Sequence, residues 1–535
     1  MINTRKRFRK NREFGMPIKY TTMKIIFNIF TPFFIFFLSL SSHADASLPK
    51  EMLDVMSQPR YQNAQWWVVV KDLNNQKTLY QRNSNHLLMP ASVTKLFSTT
   101  TALHILGDNY RFKTPVYFIG DRKNDILNGD IILVGKGDLE FGGRVHNGKL
   151  TYGFIDHIYA NDLPGATITP EDPLAALTSL AEQIKARGIK KINGNVLIDD
   201  RLFDTAYIRN YTFSPVMINE NLFDFQIKPG KPGKKASIKW RPKAPGYSIK
   251  NRLITIAQGG KTDIQISAND ENTVFTIEGQ IAANEKELLR IYPIVKPAVF
   301  ARKAFIAALK NQGIEVYLNE KSRSLPDTDL YKQLPPIAEY ISPPFSEYVK
   351  VILKLSHNIG ADLIPFLLAA QHEKKTFAQG MPYIAEFLIK RVGLSQNTFV
   401  FGDGAGGDSN RLLPSAAINL LTYMYSRPKA QFKTFYAALP ILGVDGSLKQ
   451  AAKNIPAIGK VHAKTGTSIT YDFANQRFYS FSEALSGYIE AKNGHLLAFI
   501  IAVSNTPMES IKDAFIIQKD VSSVASEIYN QSSSQ

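Results

Sequence analysis

The local texture of this chain changes twice along its length, and that alternation limits the fold more than any single motif does. Near the start, Trp66–Leu73 and Lys77–Tyr80 read as a hairpin turning at Asn74-Asn75, and a helix follows Pro90 from Ser92 to Leu106 with Gly107 as its stop. From about residue 111 to 295 the pattern becomes short β-rich runs broken by Gly, Asn, Asp and Pro, as in Ile126–Val134. One helix, Pro173–Gly188, interrupts that stretch, with Leu174, Leu177, Leu180, Ala181 and Ile184 at helical spacing. Helical periods return at Val299–Gln312, Tyr348–Gln371, Tyr383–Arg391 and Pro414–Ser426. The chain ends as strand, Lys492-Asn493-Gly494 turn, strand (Leu496–Val503) and an amphipathic helix from about Ser510 to Tyr529. No fixed-period repeat is present. The expectation is one α/β domain built from both ends of the chain, 47–110 plus 295–535, interrupted by a mostly β insertion over 111–294.

Ahead of this, Ile25–Leu40 is an uncharged apolar run behind Lys24, followed by small residues at Ala44 and Ala46 that suit a cleavage site. With Pro32 inside, the run is short for a membrane span, so residues 1–46 read as a secretory signal peptide and the mature chain as exported, periplasmic and at most peripherally membrane-associated. The absence of cysteine excludes disulfides, Cys-ligated zinc, Fe–S clusters and thiol nucleophiles, so stability must come from burial. Lys and Arg number 64 against 46 Asp and Glu, a net of +18. The mature part keeps a basic excess, which favours anionic surroundings without naming them. Part of it lies in Lys228–Arg252, nine cations and no acid, with Trp240 and Tyr247 among them. Composition alone would admit nucleic acid; export makes an anionic envelope polymer or the carboxylates of peptidoglycan the accessible partner.

Three short motifs carry chemistry. Ser92-Val93-Thr94-Lys95 puts a hydroxyl and an amine one helical turn apart, on one face, where they can share a hydrogen bond. A serine is a poor nucleophile until a base takes its proton, and a desolvated lysine can be that base. The similar Ser47–Lys50 and Ser426–Lys429 each contain a proline, Pro49 and Pro428, which argues against a regular turn. Ser356-His357-Asn358 supplies a second hydroxyl and an amide, although Ser267–Asn269 and Ser395–Asn397 match the same spacing. Lys464-Thr465-Gly466-Thr467 occurs once, entering a strand, where a cation, hydroxyls and a glycine suit a peptide carboxylate. Each motif alone has an ordinary structural reading; their order, Ser-x-x-Lys, then Ser-x-Asn, then Lys-Thr-Gly, points to a serine acyl-transfer site. Other sites find little support. Gly402-x-Gly404-x-x-Gly407 matches a dinucleotide fingerprint, but Arg427 stands where an acid belongs. The nine histidines show no His-Glu-x-x-His spacing, so neither a metal nor a cofactor is implied.

With these residues in place the chain resembles the class C low-molecular-mass penicillin-binding proteins, the penicillin-binding protein 4 type of D-alanyl-D-alanine carboxypeptidase/endopeptidase (peptidase family S13). The likeness extends to Gly194–Asp199, Phe401–Gly406 and Leu439–Leu448. The interval of 264 residues between Ser92 and Ser356 leaves room for the family's inserted domains. The fold so implied is the α/β penicillin-binding protein/serine β-lactamase-like transpeptidase fold, an antiparallel sheet flanked by helices, interrupted by one or two small β domains. Two departures concern the rim of the cleft: Ala405 where the family usually has serine, with a longer Gly407–Arg411, and a longer Ser468–Glu483.

The resemblance implies that Ser92 attacks the carbonyl between two terminal D-alanines, with Lys95 as proton acceptor and Ser356 passing a proton to the leaving amine. Asn358 would bind the substrate peptide, and Lys464, Thr465, Gly466 and Thr467 its carboxylate end. Asp199 is implied as a reader of an amine on a peptide side chain. β-Lactams would act as inhibitors by acylating Ser92. Carboxypeptidase and cross-link endopeptidase activity would share this machinery. Two alternatives are a catalytically silent envelope-binding scaffold and a serine β-lactamase. The former has no need of Ser92, Lys95, Ser356, Asn358 and Lys464 together, and the latter requires a second water-activating group that the sequence does not locate.

Overall fold

A computed structural model of the protein describes residues 48–318, 324–452 and 454–532. The proposed leader, 1–46, lies outside the described residues. Five strands form one antiparallel sheet in the spatial order β2, β1, β5, β4, β3, where β1 is Gln65–Asp72, β2 Thr78–Arg82, β3 Val461–Asp472, β4 Arg477–Glu490 and β5 Leu496–Met508. Strands from the two ends of the chain therefore pair directly, Val69 opposite Ile500. The central strand β5 reads as an unbroken apolar run from Leu496 to Val503 because both faces of the sheet are covered. Phe499, Ile501 and Val503 face a core closed by the C-terminal helix Asp513–Gln531, through Ile517, Val521 and Val524. Ala498, Ile500 and Ala502 face the core shared with helices Thr94–Leu106, Phe345–Lys354, Asn358–Gln371 and Pro414–Tyr425.

The middle of the chain folds as sheets of its own. Lys113–Lys123 and Ile126–Val134 pair antiparallel in a six-stranded sheet, and two three-stranded sheets follow, built on Leu222–Lys228 and Val274–Ala282. Phe223, Phe225, Phe275 and Phe300 pack together in their core with the helix Ala175–Ala186. Helix Pro297–Asn311 and strands Glu315–Tyr317 and Ala338–Ile341 also join this core or the six-stranded sheet, so elements past residue 295 pack with the middle of the chain.

Two local readings need correction. The helical period over Tyr348–Gln371 is two helices, Phe345–Lys354 and Asn358–Gln371, parted where Ser356 takes φ 60°. The apolar period runs through because both helices are buried in one core, and a serine carries none of the sequence warning that glycine would give. The period over Tyr383–Arg391 begins earlier, at Phe377, where Thr376 and Gln379 form a capping box, and ends in a π-turn before Gly393 at φ 81°. The hairpin at Asn74-Asn75 is present, with Val70 opposite Tyr80.

Candidate active site

Ser92 lies in a 3-10 turn, Ala91–Val93, that runs straight into helix Thr94–Leu106. Ala91 before it is held at φ 44°, a left-handed conformation that costs energy for a residue with a Cβ and collects at functional sites. One turn on, Lys95 is wholly buried, and its Nζ lies 2.7 Å from each of three oxygens: Ser92 Oγ, Asn358 Oδ1 and the Ala405 carbonyl. Burial disfavours the charged amine and pushes Lys95 down to about 7, against the opposing pull of Asp362. A substantial neutral fraction near pH 7 gives the amine a lone pair for the Ser92 proton.

A strand and a loop close on this turn from different parts of the chain. A Cβ at Gly466 would sit 2.3 Å from the Pro90 carbonyl oxygen and 3.2 Å from the Ser92 nitrogen. Glycine there is what lets β3 approach the nucleophile. Gly406, at φ 102°, is pressed as closely against the Ala91 carbonyl. The glycine-rich stretch 402–407 is thus a loop against the Ser92 turn, between the short strands Phe399–Val400 and Arg411–Leu412, and not the phosphate cradle its spacing imitates. Asp403 holds it: one carboxylate oxygen accepts N–H bonds from Ala405, Gly406 and Gly407 at 3.0, 2.6 and 3.0 Å. Because residue 405 serves Lys95 through its carbonyl, an alanine fulfils the position. The longer segments meet across the crevice, Ser468 Oγ donating to Asp408 at 2.8 Å.

Lys464 is wholly buried, with Nζ 2.7 Å from the Thr465 carbonyl. Burial holds it well below the ordinary lysine range, and Lys95 adds repulsion. Thr465 Oγ1 shares a hydrogen bond with Ser447 at 2.8 Å, and Thr467 Oγ1 donates to Glu483 at 2.7 Å. Asp199 stands apart from these groups. It lines a cavity of about 830 Å³ with Tyr117, Lys136, Arg201 and Tyr331. Its carboxylate already accepts from Arg201, at 2.9 and 2.6 Å, and from the Tyr331 hydroxyl at 2.8 Å. Burial raises its pKa, but these donors outweigh it and hold the carboxyl below the usual range.

Several residues that shape the site carry no signal in the sequence. Tyr159, from the middle of the chain, donates its hydroxyl to the Ser356 carbonyl at 2.5 Å. Arg209, also from the middle, pairs with Asp362, four residues after Asn358, and reaches Asp403 at 3.5 Å. Under the Ser356 turn, His357 is fully buried. Its Nδ1 accepts the Gly360 N–H at 2.9 Å, and its Nε2 faces Glu220 at 3.4 Å. Glu220 belongs to a buried group in which Arg144 pairs with Glu140, Asp156 and Glu220, and His157 bridges Glu220 and Asp224. Lys354, buried at the end of its helix, is paired with Asp445 at 2.6 Å. His462 stacks on Tyr436 at 4.1 Å. In the basic segment, Trp240 and Tyr247 pack on Phe223, and Arg241 is paired with Asp224, while the lysines are exposed.

Comparison with known proteins gives a consistent result. The profile of the D-Ala-D-Ala carboxypeptidase 3 (S13) family matches residues 48–524. A D-alanyl-D-alanine carboxypeptidase of Actinomadura sp. (strain R39) is 25% identical over 492 residues, covering 86% of this chain and 82% of the relative. A penicillin-sensitive carboxypeptidase A of Dictyostelium discoideum is 24% identical over 417 residues, 75% of this chain and 77% of the relative. Among solved structures, penicillin binding protein 4 from Haemophilus influenzae superposes with a TM-score of 0.68 at 20% identity, over 89% of this chain and 99% of that one. The same protein complexed with a novel β-lactam superposes with a TM-score of 0.66 at 19% identity, over 90% of this chain and 99% of that one.

Proposed function

The chain belongs to the D-Ala-D-Ala carboxypeptidase 3 (S13) family and is a serine DD-peptidase with the penicillin-binding protein fold, and on that premise we propose how its residues divide the work. Ser92 is the nucleophile and neutral Lys95 its base: the Ser92 proton passes to Lys95 Nζ as Oγ attacks the carbonyl between two D-alanines. The carbonyl oxygen becomes an oxyanion held by the backbone N–H groups of Ser92 and Thr467, each such donor being worth about 3–4 kcal/mol in comparable enzymes. The C–N bond then breaks, with a proton delivered to the leaving amine through Ser356, and the acyl group stays on Ser92. Water releases the acyl group and restores the Ser92 hydroxyl. Asn358 holds both Lys95 and the substrate peptide. Lys464, Thr465, Gly466 and Thr467 receive the carboxylate end.

The observation that carries this reading is the 2.7 Å contact between Lys95 Nζ and Ser92 Oγ around a buried amine whose charge is disfavoured. A scaffold would gain nothing from that burial. β-Lactams, which imitate the D-Ala-D-Ala end, are proposed to acylate Ser92 and to persist there, since no group is assigned to activate a deacylating water as a β-lactamase requires. Asp199 would read a side-chain amine only by exchanging Arg201 for it. Export through the 1–46 leader to a periplasmic substrate fits the family, and among the described residues no helix is long and apolar enough to cross a membrane. The exposed lysines of 228–252 are proposed to hold anionic envelope polymer by charge alone, since Trp240 and Tyr247 are committed to packing. The test of the central reading is release of D-alanine from a D-Ala-D-Ala pentapeptide: the wild type should release it and Ser92→Ala should not, whereas undiminished release from Ser92→Ala would refute the assignment.

A further inference from the structure

One buried acid beside the crevice has no part in the scheme above. Glu483 lies on β4 directly opposite Thr467 in the ribbon register. It is 2% exposed, one carboxyl oxygen takes the Thr467 hydroxyl at 2.7 Å, and the other has no hydrogen-bond partner. Thr467 itself is exposed. A carboxyl group so placed has a single hydroxyl between it and the end of the site assigned to substrate carboxylate. An apolar side chain at this position would avoid burying an unpaired oxygen.

We propose that Glu483 is a positioning residue that sets, through the Thr467 hydroxyl, how strongly a peptide ending in a free carboxylate is held relative to one ending in an amide. This rests on the peptidase reading given above. Thr467 has one proton to donate. When Glu483 is protonated, its own O–H donates to Thr467 Oγ1 and the threonine proton is free to point at substrate carboxylate. When Glu483 is ionised it takes that proton, and Thr467 then presents lone pairs, with a negative charge behind them, to an incoming anion. An amide terminus can donate N–H to the same oxygen and loses nothing.

The charged and titratable groups around Glu483 are few. Lys464, on β3, attracts the ionised form. Tyr61, from the turn Pro59–Tyr61, interacts with it and donates its own hydroxyl to Asp520 at 2.7 Å, which Arg60 approaches at 3.8 Å. Across β4, its partner on β5 is Val503. Burial is the largest influence and, against the pull of Thr467 and Lys464, pushes Glu483 up to about 8. The switch therefore falls just above neutral pH, free acids being favoured below it.

The experiment measures KM and kcat for a D-Ala-D-Ala-terminated peptide and its C-terminal amide with wild type and Glu483→Gln between pH 6.5 and 9. Lys95 titration affects both peptides alike and cancels in their ratio. For the wild type, KM of the acid relative to the amide should rise about tenfold across that range, a hydrogen bond to a charged group lost, with the kcat ratio unchanged. With Glu483→Gln, neutral at every pH, the ratio should stay flat. Turnover with a flat wild-type ratio, or a Glu483→Gln ratio that climbs as the wild type's does, overturns this inference alone. Failure to cleave either peptide at any pH overturns the peptidase reading and this inference with it. Should Glu483→Gln not fold, the wild-type ratio decides by itself.

Discussion

Replacing Gly466 by alanine tests whether the ribbon and the nucleophile's turn must touch. The added methyl would lie 2.3 Å from the Pro90 carbonyl oxygen, where ordinary contact begins at 3.4 Å. The obstacle is backbone, and it sits at the head of a buried helix that cannot yield. The ribbon is an edge strand, so β3 must retreat by roughly 1 Å, a misplacement that costs about a hundredfold in a reaction of this kind. The oxyanion pocket straddles that contact, with one proposed donor on each side, Ser92 N and Thr467 N. Acylation by a fluorescent penicillin, followed as a second-order rate constant, should therefore fall by about two orders of magnitude. Thermal stability should change much less, because the shift falls on an edge strand past its backbone bonds to Pro440 and Leu442, and the core does not move. Acylation at the wild-type rate with an unchanged melting temperature would refute the reasoning, since it would show that the two elements need not close on each other.

Three further outcomes are expected. Acylation rates should rise with pH through an apparent value near 7 as Lys95 loses its proton, because burial depresses that amine, and a rate independent of pH from 5.5 to 8.5 would speak against Lys95 as base. Asp445→Asn should lower stability by about 3–5 kcal/mol in chemical denaturation, because Lys354 is left buried without its counter-charge. Tyr159→Phe should cost about 1–2 kcal/mol of stability and reduce kcat more than it raises KM, since it frees the Ser356 turn without touching substrate; a change in KM alone would contradict that.

How much of this could be read beforehand follows from the range over which each interaction acts. Ser92 and Lys95 are legible because one helical turn brings them together whatever the rest of the chain does. The hairpin at Asn74-Asn75 and the final strand and helix are legible for the same reason. Lys464–Thr467 is recognisable as a pattern, but the need for glycine at 466 is set by the Pro90 carbonyl, from a part of the chain far away. Asn358 contacts Lys95 across 263 positions, and Arg209 reaches Asp362 across 153. No local rule pairs a lone arginine in a β-rich stretch with a helix beyond it. The same holds for Tyr159 under Ser356 and for Glu483 behind Thr467. Their partners are fixed by tertiary packing, and nothing in their immediate sequence distinguishes them from solvated side chains. The break at Ser356 was hidden because burial of both flanking helices keeps the apolar period running through a left-handed residue that is not glycine.

The most direct measurement is the mass of the intact protein after exposure to a penicillin, with the adduct mapped by peptide fragmentation. A single stoichiometric addition on Ser92 is predicted, absent from Ser92→Ala and slowed severalfold or more below pH 6 where Lys95 is protonated. An adduct on another residue, or none in a folded protein, would contradict the assignment of Ser92 as the nucleophile activated by a buried lysine.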